Sequence, residues 1–145
     1  MGRTMKRIIV AACATLLCTA IAAFAVVPAD GVLGVWLTQS KDGKFQVARC
    51  GESVCGKLIW GKTANDPDKK NKNPDLRSRA LNSFNMLQGY RLSKDGARWV
   101  DGEIYNPEDG NFYRSTLEPG PGDTLKLKGC LGPFCQTQTW TRVAP

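Results

Sequence analysis

The sequence contains no histidine. Histidine is the commonest general base, the usual activator of a nucleophilic Ser or Cys, and the preferred nitrogen ligand of catalytic zinc. Ser53 is not placed to act as an activated nucleophile. The second glycine of a nucleophile elbow is missing after it, and no Ser-His pair can form. The sequence therefore excludes the common hydrolase and zinc-enzyme arrangements, and we predict that the protein is not an enzyme.

Long hydrophobic runs are missing too, except near the N-terminus. There an apolar stretch from Ile8 to Ala23 follows a basic start and ends in a small-x-small sequence at Ala25, which is typical of a cleavable signal peptide. A retained membrane anchor is the alternative, but the stretch is short for a spanning helix. We predict a signal helix over residues 1–25 and a single domain over residues 26–145, without stable membrane insertion. The basic start consists of Arg3, Lys6 and Arg7.

Basic residues exceed acidic residues only modestly. Without the three basic residues of the signal peptide, the 20 Lys and Arg become 17, against 13 Asp and Glu. The basic residues are scattered among acidic ones, whereas a nucleic-acid surface needs a concentrated basic face with interleaved aromatic residues. We therefore expect no nucleic-acid partner.

The cysteines form no Cys-x-x-Cys motif, which argues against a thioredoxin-like activity. Four of them follow the signal peptide, and an even number in an exported chain predicts two disulfides. Three pairings are possible, and the equal spacing favours Cys50–Cys55 and Cys130–Cys135. A zinc site of four thiolates is the alternative, but structural zinc sites usually have tighter spacings. Disulfides predict a periplasmic or secreted protein.

Long helical periods are absent as well. The chain instead breaks into eight short segments rich in β-branched and aromatic residues, joined by Gly-, Pro-, Asn- and Asp-containing turns. Such links make consecutive strands antiparallel, and closing the sheet on itself removes its two edges. We predict an all-β, eight-stranded antiparallel up-and-down barrel rather than an open sandwich. The predicted strands are Gly34–Gln39, Lys44–Arg49, Gly56–Trp60, Met86–Leu92, Arg98–Tyr105, Asn111–Leu117, Thr124–Cys130 and Gln136–Val143.

Two sets of motifs resemble known proteins. Gly34-Val35-Trp36 and Trp140-Thr141-Arg142 are similar to the lipocalin arrangement, in which an early Trp packs against an Arg across the closed end of an eight-stranded barrel. A longer ordered set covers nearly all of the exported chain: Cys55-Gly56-Lys57-Leu58-Ile59-Trp60, Asn73-Pro74-Asp75-Leu76-Arg77-Ser78-Arg79, Gly102-Glu103-Ile104-Tyr105-Asn106-Pro107-Glu108-Asp109-Gly110, Leu125-Lys126-Leu127-Lys128-Gly129-Cys130 and Gln138-Thr139-Trp140. This set resembles the secreted family known as domain of unknown function 2147. The resemblance implies an exported lipocalin-like barrel of Gram-negative bacteria.

The segment Gly61–Asn85 is long for a compact domain, and such a loop is usually functional or mobile. It carries Arg77 and Arg79, whose planar guanidinium groups suit a carboxylate or phosphate. If the segment folds over an open barrel mouth, these arginines could receive the acidic head of an amphipathic ligand. A structural salt bridge with Asp75 or Asp101 is the alternative interpretation.

No cofactor and no metal is predicted. The oxygen-bearing side chains between Asn65 and Asp75 could attract calcium, but lysines stand among them and neither a turn glycine nor a closing Glu is present.

Asp101 and Glu103 lie two apart on one strand and could form a carboxylate pair, although a solvated outer face is the simpler interpretation.

The aromatic residues are more numerous than the surface of a small barrel needs, so several should point inward. Our leading hypothesis is a barrel that binds a small apolar or amphipathic ligand, with Trp60, Tyr105 and Tyr113 in the wall and Arg77 or Arg79 at the mouth. The alternative is a non-enzymatic structural or protein-interaction module of the cell envelope with a solid core.

Overall fold

A computed structural model of the protein describes residues 28–144. The predicted signal helix and its cleavage site lie outside these residues. Within them, no helix is long and apolar enough to cross a membrane. The strands are β1 (Gly34–Leu37), β2 (Gly43–Cys50), β3 (Ser53–Gly61), β4 (Asn85–Gln88), β5 (Arg91–Leu92), β6 (Trp99–Asn106), β7 (Asn111–Pro119), β8 (Thr124–Leu131) and β9 (Phe134–Val143).

The sheet closes on itself. Its order is β4-β3-β2-β1-β9-β8-β7-β6-β5, every pair is antiparallel, and β4 also pairs with β6. β4 and β5 together occupy one position in the wall, interrupted at Gly89, whose φ of 75° breaks the extended backbone. The predicted strand Met86–Leu92 is therefore split, and the predicted eight-stranded up-and-down barrel is confirmed.

One end of the barrel, which we call the plug end, is closed by a 3-10 helix over Pro28–Val32. Two core indoles hold this helix: Trp36 donates its Nε1–H to the carbonyl of Val32 at 2.8 Å, and Trp99 donates its own to the carbonyl of Ala29 at 3.0 Å. Ala29 and Val32 are fully buried beside them. The indole hydrogen bonds thus satisfy the carbonyls of a helix that covers the core.

Arg142 locks the same end from the last strand. Its guanidinium donates to the carbonyls of Leu33 and Gly31, both at 2.8 Å, and its Cζ lies 4.2 Å from the centroid of the Trp36 ring. This is the Trp-Arg contact that the lipocalin resemblance implies. It joins the first strand, the last strand and the 3-10 helix through one side chain.

The interior of the barrel is tightly packed near the plug end. Gly56 and Gly102 lie so close to the side chains of Leu87 and Tyr90 that a Cβ at either glycine would overlap them. The largest fully buried side chains include those of Trp36, Trp99, Trp140, Tyr90, Met86, Leu87, Leu117 and Leu125.

Both predicted disulfides are present, one at each end of the barrel. Cys50–Cys55 brackets the β2–β3 turn at the plug end, and Cys130–Cys135 brackets the β8–β9 turn at the opposite end, which we call the loop end. Because the two pairs lie at opposite ends, a site that unites all four sulfurs is excluded.

Replacing Arg142 by alanine should destabilise the barrel by about 2 kcal/mol, because two charge-assisted hydrogen bonds and one cation–π contact are lost together. Arg142→Lys should lose most of that free energy as well, since an ammonium cannot reach both carbonyls. Asp123→Asn is the matched control: Asp123 contacts the same guanidinium at 3.5 Å but is largely exposed, so it should change stability by less than about 0.5 kcal/mol. Urea unfolding followed by tryptophan fluorescence measures all three, and equal losses for Arg142→Ala and Asp123→Asn would contradict this assignment.

Candidate functional site

A cavity of about 610 Å³ opens at the loop end. It lies between the β1–β2 turn, the end of β3, the long segment of residues 62–84 and the β6–β7 turn. This volume is within the range of small-molecule sites in proteins. Its apolar lining consists of Phe45, Leu58, Leu81, Met86 and Tyr105.

The loop-end cavity exists because the wall is incomplete there. β4 pairs with β3 only at Gly56 and Lys57, so the last part of β3, from Leu58 to Gly61, has no strand beside it on that side. On the other side of the gap, β6 pairs with β4 only up to Ile104. The long segment occupies the gap and forms one side of the cavity.

A network around Asp68 holds the long segment in place. The carboxylate of Asp68, which is 1% exposed, accepts from the hydroxyl of Tyr105 at 2.5 Å and from the amide of Asn71 at 2.7 Å. Arg79 adds two N–H donors at 3.2 Å and places its guanidinium 3.5 Å from the ring centroid of Phe84. Every partner of this buried charge comes from the segment itself or from β6, so the Asp68 network ties the segment to the barrel.

Of the five predicted ligand-binding residues, only Tyr105 lines the cavity. Arg79 forms a salt bridge with Asp68. The alternative interpretation, a structural salt bridge, therefore holds for Arg79, although its acidic partner is neither Asp75 nor Asp101. Arg77 donates its Nε–H to the backbone carbonyl of Asn71 and does not reach the cavity. Their closeness in the chain does not bring the two guanidinium groups together at the mouth.

Tyr113 lies on β7 outside the cavity lining, and its hydroxyl donates to the carboxylate of Asp109 in the neighbouring turn. The predicted ligand-binding residue Tyr113 is thus engaged in a contact within its own hairpin and does not line the cavity.

The predicted wall position of Trp60 is wrong. Phe45 pairs with Leu58, whereas the preceding Lys44 pairs with Trp60, so Ile59 is an extra residue in β3. Such a β-bulge sets two residues against one and re-aims the side chains beyond it. Ile59 and Trp60 are therefore both on the outer face, 42% and 51% exposed, with the Lys44 ammonium over the Trp60 ring.

Most of the cavity lining is not predicted by the sequence. Phe45 and Leu58 belong to alternating patterns, with buried Val47 two residues after Phe45 and buried Val54 four residues before Leu58, and this signal could have identified the inner face. No local pattern marks the charged rim, which comes from three separate turns. The charged lining residues are Lys62, Lys69, Lys70, Asp42, Asp66 and Glu108.

The carboxylates considered for catalysis are solvated. Asp101 and Glu103 are both exposed, and Asp101 forms an ion pair with Arg91. Asp101 adopts φ 57° at a bulge in β6, which separates it from the regular alternation. Across residues 28–144, no group of three His, Cys, Asp or Glu side chains is arranged to hold a metal ion.

A second depression, of about 540 Å³, lies at the plug end beside Gly34, Asp123 and Arg142. The guanidinium of Arg142 is already hydrogen-bonded to two backbone carbonyls, so it offers no free fork to a ligand. The loop-end cavity, with an apolar floor and a charged rim, is the better candidate site.

The comparisons with known proteins agree with this architecture. Residues 34–142 match the family model described as "Uncharacterized protein conserved in bacteria (DUF2147)". No curated protein matches the chain. The fold is similar to that of protein HP1028 from Helicobacter pylori, whose solved structure is described as belonging to the lipocalin family. The TM-score is 0.67 at 21% sequence identity, over 77% of this chain and 82% of that one.

Replacing Asp68 by alanine should release the long segment and cost about 3 kcal/mol, because Arg79 loses the partner of a buried ion pair and Tyr105 and Asn71 lose an acceptor. Asp75→Ala is the control, since Asp75 is exposed on the same segment and should cost less than about 0.5 kcal/mol. Urea unfolding gives the free energies, and hydrogen exchange over residues 66–82 reports the segment. Unchanged exchange there would contradict an anchoring role.

All three tyrosines should ionise at a higher pH in the folded protein than in the unfolded chain. Burial and the Asp68 hydrogen bond raise the pKa of Tyr105 to about 12, burial raises the pKa of Tyr90, and the hydrogen bond to Asp109 raises the pKa of Tyr113. Because the folded state holds these protons more tightly, their contribution is complete below the unfolded pKa of about 10. It is then lost as the pH rises through the folded pKa values.

We therefore expect the unfolding free energy to fall from about pH 10 upward, and phenolate absorbance to lag behind that of the urea-unfolded chain. Tyr105→Phe should weaken this alkaline dependence. If the tyrosines of the folded protein titrate at the unfolded pKa, the burial and hydrogen bonds assigned to them would be wrong.

Proposed function

Since the chain belongs to the bacterial DUF2147 family and folds as a closed lipocalin-like barrel, we propose that it is an exported, non-enzymatic protein that binds a small apolar or amphipathic ligand at its loop end. The observation that carries this proposal is the loop-end cavity of about 610 Å³. The gap in the wall at the loop end distinguishes this barrel from one with a solid core.

The chemistry of the lining favours an amphipathic ligand. Phe45, Leu58 and Met86 provide an apolar floor at the barrel interior, and burying an alkyl or aromatic group there would remove apolar surface from water. The rim carries ammonium groups and carboxylates in equal number, so it can pair with a polar head of either sign. In this arrangement the tail enters the barrel and the head stays among the charged turns.

Tyr105 connects the cavity with the Asp68 network. Its ring contributes to the cavity lining while its hydroxyl donates to Asp68. A ligand that packs against the ring of Tyr105 would therefore also restrict the segment that Asp68 anchors. The arginines serve this site indirectly, because Arg79 positions the segment and the rim lysines, not the arginines, face the cavity.

The compartment is part of the proposal. Two disulfides within residues 28–144 are typical of proteins that fold in an oxidising environment. They support a periplasmic or secreted location, in agreement with the N-terminal signal that the sequence predicts. A ligand of limited water solubility is consistent with that location, where a carrier barrel would shield it from water.

Filling the cavity floor should weaken binding. We expect Leu58→Trp to weaken binding of the fluorescent amphiphile anilinonaphthalene sulfonate at least about tenfold, or about 1.4 kcal/mol, because the larger ring occupies the floor. Ile59→Trp is the matched control: it makes the same substitution one residue later, on the outer face, and should leave the affinity unchanged. Fluorescence titration measures both.

Native mass spectrometry of protein purified from its own host provides the second readout, with an adduct expected on the wild type and on Ile59→Trp but not on Leu58→Trp. Equal probe affinity for both variants, together with a wild type that carries no adduct, would refute the binding proposal.

A further inference from the structure

The last strand extends well beyond the strand beside it. β9 contains ten residues, but it pairs with β1 only at Thr141, Arg142 and Val143. β1 ends at Leu37, where the chain turns back toward β2. The first part of β9 is therefore paired with β8 on one side and, within residues 28–144, with no strand on the other. We call this side, from Phe134 to Thr139, the free edge.

The hydrogen-bonding pattern shows which backbone groups point to the free edge. The amide of Arg142 donates to the carbonyl of Asp123 on the β8 side, so even-numbered residues of β9 face β8 and odd-numbered ones face away. Accordingly, the Thr139 amide donates to the side chain of Gln39 at 2.8 Å. The N–H and C=O groups of Cys135 and Thr137 face outward without a partner in the described chain.

Between Phe134 and Gln138, the free edge lacks the devices that normally protect an exposed strand. Proteins blunt such edges with charged side chains, proline, bulges or a covering loop. The sequence from Phe134 to Thr139 contains no charge, no proline and no glycine, its register is regular, and all six residues are exposed. At its tip, Leu131 and Phe134 are 66% and 79% exposed. This is the composition of a strand that pairs with another strand.

We propose that the free edge pairs with the same edge of a second copy of this chain, antiparallel about a two-fold axis at Gln136. In this register Cys135 of each copy faces Thr137 of the other, so all the outward N–H and C=O groups of both residues are satisfied. The hydrogen bond between Thr139 and Gln39 remains intact. A two-fold antiparallel pair is self-complementary, as an isologous interface requires.

A second copy fits this edge better than a charged peptide does. Because the edge carries no charge, two identical edges meet without like-charge repulsion, and a charged segment would find nothing complementary there. The Cys130–Cys135 disulfide already fixes the hairpin, so little conformational freedom is lost on pairing. Phe134 of one copy would also be placed over Gln138 of the other, which removes its ring from water.

Sedimentation equilibrium of the disulfide-bonded mature chain over a range of concentrations tests the proposal. The mean mass of the wild type should rise with concentration toward that of a dimer. Thr137→Pro should stay monomeric, because it removes an N–H of the free edge while leaving the β8 side of β9 unaffected. Thr137→Val retains the N–H and should dimerise like the wild type. Near-ultraviolet circular dichroism checks that each variant is folded.

Gln136→Lys provides a second variant that does not depend on proline. It places two lysines together at the two-fold axis, so dimerisation should weaken at least tenfold at low salt and recover in high salt. Gln136→Met is the uncharged control. Hydrogen exchange at Cys135 should slow with rising protein concentration in the wild type, in Thr137→Val and in Gln136→Met, but not in Thr137→Pro or Gln136→Lys. A wild type that stays monomeric, or a dimer that tolerates Thr137→Pro and Gln136→Lys, would overturn the proposal.

Discussion

The stack of Arg142 on Trp36 is the contact on which the rest of the barrel depends. The seam between the first and last strands is short, with three paired positions, and backbone hydrogen bonds alone contribute little net free energy over such a length. Arg142 strengthens this seam because it binds the ring of Trp36 and, at the same time, two carbonyls of the chain that precedes β1. One guanidinium therefore both strengthens the barrel seam and holds the helix that covers the core, through a planar set of donors that an ammonium lacks.

The loop end is open because closure is achieved at the plug end. With the first and last strands joined near Arg142, the strands are free to differ in length at the other end. Three irregularities result: β3 extends past β4, β6 extends past its pairing with β4, and β9 extends past β1. The first two create the gap in which the cavity forms, and the third creates the free edge. The candidate binding site and the candidate interface thus have a common structural origin in the uneven strand ends.

The sequence predicted the elements of the fold much better than the site. Segment composition and turn chemistry predicted all eight strand positions, and the equal cysteine spacing favoured the two local disulfides, because these signals depend on residues close together in the chain. The position of Trp60 depends on one extra residue in β3, and a β-bulge leaves no sign in a short alternating pattern. The partner of Arg79 is Asp68, eleven residues earlier in the same segment, and only the folded path of that segment brings the two side chains together. The rim of the cavity comes from three separate turns, so no single motif could mark it.

If the loop-end cavity binds a ligand as proposed, the position of Tyr105 couples that binding to order in the long segment. Its ring is part of the cavity lining, and its hydroxyl is part of the network that holds Asp68 away from water. A ligand that binds the ring must restrict a side chain on which the segment depends, so it binds the ordered segment more tightly than the released one. By reciprocity, any change that weakens the Asp68 network must also lower the affinity for the ligand, even without contact to it. Under the proposed binding function, the Asp68 carboxylate would contribute to ligand affinity as well as to stability, which would favour keeping a charged group at a site where burial alone disfavours it.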